Sequence, residues 1–536
     1  MEGYAADGLA ASGEPAAGLA ECADRLVPGL GPLVEALAGL VADATAGQTL
    51  DAMEVLAVER GRDITRGALQ LALDRQADAE VMLPGLAGAD GERRGWRERG
   101  SGRAVVTTVG EVRVRRVAYR SRKKGVGDLH WRDCVLNLPG CSFSWQLQRL
   151  AVTAYRSGSC EGAVAVVERA TGVRIGKRQA EEAASAAAAD AGTFAGQRPA
   201  REAPVIAPRK RKKQGKRKRA GRGPALVLSA DGKGVLMRPD ALRPDAARRA
   251  ARAGGTGKRL GSGQKNGHKR IAETGVVYCS LPPDGGPRTP EEIFLRPPGE
   301  PARHPLALSR WYTCGITASR ADVIALLFAE AERRDPGHER EWPALVDGDN
   351  CQIDVIKAQA RARGADVTIL IDLIHVIEYL WKAAWRFAPA GDTPAAEQQV
   401  IAWGLDILRG SSRDVIAGIR RKAAAKPPKA GGEHERNIRK TTGYLQAKES
   451  CLDYPAALAN GWPISTGVIE GACRHLVGDR MGITGARWTL DAAQAILWLR
   501  AIAASGDDNA YWTYHIQQEH HRNHLSKYQD TCALAA

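Results

Sequence analysis

Two aspartates stand where a hard cation could be gripped. Asp231 follows the apolar run ALVLSA (225–230) and Asp347 follows PALV (343–346), and each is succeeded at once by a glycine, Gly232 and Gly348. A carboxylate at the C-terminal rim of a buried strand is held rigidly, while the glycine lets the chain turn away and leaves room for a ligand. Two such rims side by side would put both carboxylates on one cation. Mg2+ takes carboxylate oxygens and keeps waters or phosphate oxygens as its other ligands. Two such ions, about 4 Å apart, can activate an attacking oxygen and stabilise a leaving one during in-line phosphoryl displacement. A third acid must complete the second ion's shell, and spacing leaves its identity open. Glu378 lies 31 residues beyond Asp347, in HVIEYLWKAAW, among bulky side chains. Glu470 lies 123 residues beyond it, in GVIEGAC, where small neighbours permit close approach to a sheet edge. Glu470 is preferred, with an ion pair to Arg474 one turn on as its plain structural alternative. Asp349 and Asp354 read as turn and helix-start acids.

The elements that must position these acids can be read from the apolar patterning. ALVLSA, GVVYCSL (275–281) and RWYTCGI (310–316) read as three strands; an amphipathic helix over 318–334 follows. PALV, a helix over 353–363 and the strand VTILI (367–371) come next, ending at Asp372. Three hairpinned strands followed by a strand-helix-strand unit is the order of an RNase H-like sheet. Beyond His375 the chain reads as helical to about residue 450, and GWPIST leads into a further helix from Gly467. The expected class is therefore α+β and multidomain: an RNase H-like mixed sheet flanked by helices, with an all-helical insertion, after a helical and helix-turn-helix N-terminal region. The expected divisions are a helical region (1–100), a β-hairpin element (101–140), a helix-turn-helix region (141–200) and a basic linker (201–224). The core (225–376), the insertion (377–460), the completing helix (461–505) and a tail (506–536) follow.

Charge points to the partner. Among 536 residues Lys and Arg number 77 against 61 Asp and Glu, a formal net charge of +16 that suits a polyanion, nucleic acid first. An anionic membrane surface would also attract it, but the most apolar stretch, 367–385, is broken by Asp372, His375, Glu378 and Lys382, and no run approaches a membrane span. The opening MEGYAADGLAASGEP has neither the basic nor the apolar segment of a signal peptide. Ten scattered cysteines with no CxxC read as reduced thiols, so the expected location is the cytoplasm, in association with the nucleoid. Three helical stretches, 147–155, 161–170 and 178–189, have the size and turn chemistry of a helix-turn-helix, with Ser159 as N-cap and Gly172 as terminator of the second. Lys177, Arg178 and Gln179 then open the recognition helix, the part that reaches base edges; a small helical bundle is the bland reading. The run RKRKKQGKRKRAGR (209–222), with Lys210, Arg211, Lys212 and Lys213, is a self-repelling linker that also grips phosphates.

Further signals carry less. VVTTVGEVRVRRVAY (105–119) alternates with period two around Gly110-Glu111, a hairpin whose Arg113, Arg115 and Arg116 face either a phosphate backbone or plain solvent. GGTGKR (254–259) and GSGQKNGHK (261–269) spell no nucleotide-binding loop. Lys265, Lys269 and Arg270 read instead as part of a DNA-gripping loop. His520 and His524, in EHHRNH, have metal-pair spacing but no evident third ligand, and read as a wet polar tail. Trp381, Trp385 and Trp488 read as core, although Trp488 beside Arg487 could stack on an exposed base.

Several stretches resemble the Kra-type bacterial insertion-sequence transposases, of the wider DDE group related to Mutator-like elements. They are DGKGVLMRPDALRP (231–244), KNGHKRIAETGVVY (265–278), LVDGDNCQID (345–354), DLIHVIEYLWKAAW (372–385) and ANGWPISTGVIEGACRHLVGDRMGITGARW (459–488). The last is long and particular, and the resemblance runs from the hairpin near residue 105 almost to the C-terminus. It implies Asp231, Asp347 and Glu470 as the metal-binding triad, holding two Mg2+ or Mn2+ ions, with a helical insertion between the second and third acids. Asp372-Leu373-Ile374-His375 resembles the C/D-x-x-H signature of that group, which implies a place for His375 near the scissile phosphate. The implied activity is cleavage and strand transfer of double-stranded DNA, at terminal inverted repeats and in target DNA, by a homodimer or higher oligomer that needs no membrane. A structure-selective nuclease on the same fold, or an inactive descendant retained for DNA binding, are the rival expectations.

Overall fold

The computed structural model describes residues 14–42, 47–198, 224–252, 269–389, 391–425, 432–483 and 485–529. Lys210, Arg211, Lys212, Lys213 and Lys265 lie outside the described residues. The chain is α+β and divides into two compact units, Met1–Asp190 with Asn509–Ala536, and Ala191–Asp508. No helix among the described residues is long and apolar enough to cross a membrane.

The first unit opens with helices α1 (Glu14–Leu26), α2 (Gly31–Ala42) and α3 (Leu50–Asp78). A two-residue ladder, β1 (Leu86–Ala87) on β2 (Arg93–Arg94), precedes the hairpin β3 (Trp96–Thr107) and β4 (Gly110–Arg120). The hairpin was expected, but β3 begins nine residues earlier and the turn falls before Gly110, since Thr107 pairs with Gly110. Two of its arginines pair with acids of the same unit, while Arg113 and Arg115 stay exposed. Arg115 pairs with Asp74 and Asp78 of α3, and Gln70 exchanges two hydrogen bonds with the Arg113 backbone. Arg116 pairs with Asp133 of α4 (Trp131–Val135). An arginine-rich strand can be covered by a helix only if that helix brings counter-charge, and α3 carries the acids one turn apart.

The three helices α5 (Trp145–Ser157), α6 (Cys160–Thr171) and α7 (Lys177–Ala187) lie within a few residues of expectation. Ser159 accepts the N–H of Gly162 as N-cap, and Gly172, at φ +69°, ends α6 in the left-handed conformation that glycine adopts without strain. Each helix buries one stripe at helical spacing: Leu147, Ala151, Val152 and Tyr155; Ala163 and Val167; Ala180, Ala184 and Ala187. The C-terminal helix Asp508–Asn523 belongs to this unit and corrects the expectation of a polar tail. Tyr511, Trp512 and His515 are buried, and they repeat at the three- and four-residue spacing of a packed face.

The second unit runs α8 (Ala191–Gln197), β5 (Ala225–Leu236), α9 (Pro244–Arg252), β6 (Lys269–Leu281), α10 (Pro290–Phe294), β7 (Leu306–Gly315), α11 (Arg320–Arg334), β8 (Trp342–Val346), α12 (Asn350–Arg363) and β9 (Val367–Ile371). The helices α13 (Leu373–Ala384), α14 (Thr393–Leu408), α15 (Ser412–Ala425), α16 (Glu433–Ala447) and α17 (Tyr454–Ala459) come next. Then α18 (Gly467–Ala472) passes into a π-helical segment, Cys473–Gly478, before α19 (Asp479–Met481) and α20 (Leu490–Ala504). One five-stranded mixed sheet, in the order β7-β6-β5-β8-β9, carries the unit; β7, β6 and β5 are antiparallel, and β8 and β9 run parallel to β5. The strands ALVLSA and WPALV are buried at every position, as strands covered on both faces must be. Helix α11 contributes Val323, Ile324, Leu327 and Phe328, each burial adding roughly 1.5–3 kcal/mol.

One expectation about a strand end fails. β5 does not stop before Asp231 but continues to Leu236, paired with β6 throughout, so Asp231 is a mid-strand residue opposite Thr274. What ends near Asp231 is the other edge: β5 pairs with β8 only at Leu228 and Ser229. The rim seen from β8 is real, although the chain does not turn there. Gly232 accordingly serves close cross-strand packing, since a Cβ on it would lie 2.6 Å from Ile271 Cγ2.

Candidate active site

Three neighbouring parallel strands reach the same rim with an aspartate each. Ser229 pairs with Leu345, the last β5–β8 pair, and Asp231 and Asp347 each lie two residues beyond it. Val346 pairs with Ile371, and the Asp372 N–H donates to the Val346 carbonyl at 2.8 Å, so Asp372 follows on the third strand. Asp231 is half-buried, Asp347 is exposed and Asp372 is fully buried.

Asp347 leaves the end of β8 at a sharp turn. Its carboxylate accepts the Asp349 N–H at 3.0 Å, and the Tyr444 hydroxyl of α16 donates to its carbonyl at 3.2 Å. Gly348 sits at φ +97°, and a Cβ there would lie 2.4 Å from that hydroxyl, so this glycine is demanded by both backbone and space. Asp349 caps α12 through the Cys351 N–H and pairs with Arg320, as a helix-start acid should. Arg320 also holds Glu273 at 3.2 Å. Burial pulls its pKa down, but Glu273, Asp349 and Asp347 outweigh that and raise it.

Asp372 is the N-cap of α13, accepting the Ile374 N–H at 2.9 Å. Its other oxygen meets His375 Nδ1 at 3.4 Å and accepts the Thr466 hydroxyl. Thr466 precedes α18 without capping it and reaches Glu470 Oε1 at 2.9 Å as well. Burial alone would push the Asp372 carboxyl up, yet His375, Thr466 and the Ile374 N–H together hold it below its ordinary value. His375 is raised above its ordinary value, chiefly by its hydrogen bond to Asp372 against the opposing effect of burial, with the charges of Asp372, Glu378 and Asp347 adding. The positive imidazole is thus favoured at this rim.

The helix carrying Glu470 docks on the same face as Asp231. Cys473, one turn on, buries its thiol against Asp231 and Thr274, which oppose each other across β5 and β6. Burial pushes that thiol well up, and the Asp231 charge adds, so it stays protonated and suited to donate. The π-helical segment begins at Cys473, a geometry frequent at functional sites because it re-aims side chains within a helix. Glu470 is exposed and takes Thr466 as its partner; among the described ion pairs it does not engage Arg474. Glu378 is exposed on α13, and its charge acts on His375. Glu470 is thus linked to Asp372 through Thr466, whereas Glu378 lies on the helix that Asp372 caps.

The carboxylates of Asp231, Asp347 and Glu470 do not close to within 4.8 Å of one another; among the described residues only Asp190, His515 and Glu519 form a set that tight. The donor chemistry nevertheless fits Mg2+ or Mn2+, since all three offer hard oxygens and Asp347 and Glu470 present theirs to solvent. The tighter set lies in the first unit and is bound up with a guanidinium. His515 Nδ1 meets Asp190 at 2.7 Å, while Arg522 holds Asp190 at 2.6 Å and also pairs with Glu519. The histidine pair singled out from spacing has a different role: His520 donates to the Cys134 carbonyl at 2.9 Å and His524 to the Leu138 carbonyl at 2.6 Å. No family model matches the chain, and no curated protein matches it.

The proposed DNA contacts are distributed unevenly. Lys177, Arg178 and Gln179 are exposed at the start of α7. Lys177 pairs with Glu161 at 2.6 Å, Arg178 pairs with Glu182 at 2.7 Å, and the Gln179 side chain caps the Gly176 N–H at 2.8 Å. Lys269 opens β6 and is exposed, whereas Arg270 is half-buried and donates to the Ile316 carbonyl at 3.0 Å, with burial lowering its pKa. Arg270 is thus part of strand β6, opposite Val235, rather than of a loop. Trp488 is buried, pairs across to Leu236 and Arg238, and lies under Arg480, so it packs rather than stacks on a base. Trp385, expected in the core, is 41% exposed. The sequence reading missed Thr466 and Cys473. Asp372 also follows a strand, VTILI, but Leu373 rather than glycine comes after it, so the Asp-Gly signature does not mark it.

Proposed function

We propose that the chain is a DNA transposase that cleaves and joins strands at a metal-binding site of Asp231, Asp347 and Glu470. The observation that carries this reading is the docking of the Glu470 helix on the rim of β5, β8 and β9, through Thr466 to Asp372 and through Cys473 to Asp231. The order β7-β6-β5-β8-β9, antiparallel then parallel, supports an RNase H-like reading of the sheet. In that arrangement Asp231, Asp347 and Glu470 would together hold Mg2+ or Mn2+. Bound there, such ions activate the attacking oxygen and neutralise the leaving one. The chain's own contribution is positioning: β8 and Gly348 fix Asp347, Thr466 orients Glu470, and His375, held by Asp372, offers positive charge to a phosphate. The three-helix unit α5–α7 is the reading's end-binding module, with Lys177, Arg178 and Gln179 exposed for the major groove. Pairing two element ends calls for a homodimer or larger assembly acting on double-stranded DNA.

A strand-transfer assay with a pre-cut, labelled end in Mg2+ tests the reading. Joined product that disappears in Asp231→Asn supports it. Cutting without joining would reassign the chain to the structure-selective nucleases, and DNA binding without either reaction to the inactive descendants.

A further inference from the structure

We propose that Trp96 and the basic residues around it form a contact site for unpaired nucleic acid, an exposed base stacking on the indole while Arg93 and Arg122 hold phosphates. Trp96 is the first residue of β3 and is 59% exposed, whereas a tryptophan side chain is ordinarily well buried. It stands between two hollows, of about 570 and 410 Å³, that share Trp96, Arg120, Ser121 and Arg122 in their walls. A planar group can therefore approach the ring from the protein's surface with cations on hand.

The charges around the ring are unequal in their freedom. Arg120, paired in register with Trp96, is held by Glu98 and Asp128, and Lys123 by Glu92. Arg93 and Arg122 are exposed and make no ion pair among the described residues. Residues 90–99 and 120–128 together hold eight Arg and Lys against four Asp and Glu, so the surface keeps a positive surplus after its internal pairs are counted. An aromatic face beside unneutralised guanidinium groups suits a base and its phosphates, since every base offers a π-face. A stacked duplex hides those faces, which makes unpaired strand the partner this chemistry favours. The site lies in the first unit and does not depend on the carboxylate rim, so either assignment can fail alone.

The test uses the full chain and a fluorescein-labelled oligothymidylate, with a duplex of equal length as control, read by anisotropy across a salt series. Trp96→Ala is expected to weaken the single strand about 5- to 100-fold and the duplex less than about twofold, while Trp96→Phe keeps most of the affinity. Arg93→Ala with Arg122→Ala should lower the salt slope for the single strand by about 1.4. Unchanged melting in each variant ties the losses to the surface. Wild-type affinity in Trp96→Ala overturns the proposal, as does an equal loss for duplex. Trp96-dependent sedimentation with phosphatidylserine vesicles, without oligonucleotide binding, would assign the surface to a membrane instead.

Discussion

The Thr466 hydroxyl lies 2.9 Å from Glu470 and also bonds the fully buried carboxylate of Asp372. One side chain thus couples the end of β9 to the helix bearing the third candidate acid. Thr466→Val removes the hydroxyl that links them and leaves the fully buried Asp372 short of a partner. A loss of about 1–3 kcal/mol in stability is expected, with a 10–100-fold fall in cleavage, and Thr466→Ser should restore both. Chemical denaturation and the cleavage assay read the two effects separately.

The third acid is decided by paired substitutions. Glu470→Gln should lower Mn2+ binding and cleavage by more than the 10–100-fold of an outer-shell change, while Glu378→Gln leaves both within about threefold. Direct Mn2+ binding, followed by electron paramagnetic resonance, checks this without relying on turnover. The reverse ranking would transfer the role to α13.

The Asp372–His375 pair makes stability pH-dependent in a defined window. His375 is raised above its ordinary 6.5, so its contribution is full below that value and fades as pH rises through its folded pKa. Asp372 is lowered below 3.8, so its contribution is full above that value and fades as pH falls through its folded pKa. The pair therefore stabilises most between about 3.8 and 6.5. Melting curves of His375→Gln across pH should lose this hump relative to the parent; an unchanged difference from pH 5 to 8 would contradict it.

Gly348 stands at φ +97° with the Tyr444 hydroxyl against its open side. Gly348→Ala should cost about 1–3 kcal/mol through backbone strain and this clash. Adding Tyr444→Phe should return part of that loss by removing the nearest atom, which a double-mutant cycle by thermal melting measures.

On α7, the Lys177 and Arg178 pairs are exposed and contribute little to folding. Replacing both with Ala should change stability by less than about 0.5 kcal/mol while weakening duplex binding and reducing its salt slope by up to about 2. Unaltered binding would remove α7 from the interface.

Much of this protein is determined by local pattern. The strand VTILI, the three helices α5–α7 with Ser159 and Gly172 at their ends, and the acid after PALV follow from apolar period and cap chemistry, which act within a few residues. What local pattern could not decide was whatever depends on a neighbour far along the chain. ALVLSA reads as a complete strand, yet β6 pairs with five further residues beyond Asp231, and only β8 stops short of it. The arginines of β4 read as free because α3's acids are some forty residues away in sequence. Spacing left Glu378 and Glu470 as rivals, since it says nothing of which helix packs on the rim. Thr466, bonded to Asp372, 94 positions earlier, and to Glu470, makes a link between them that spacing cannot show.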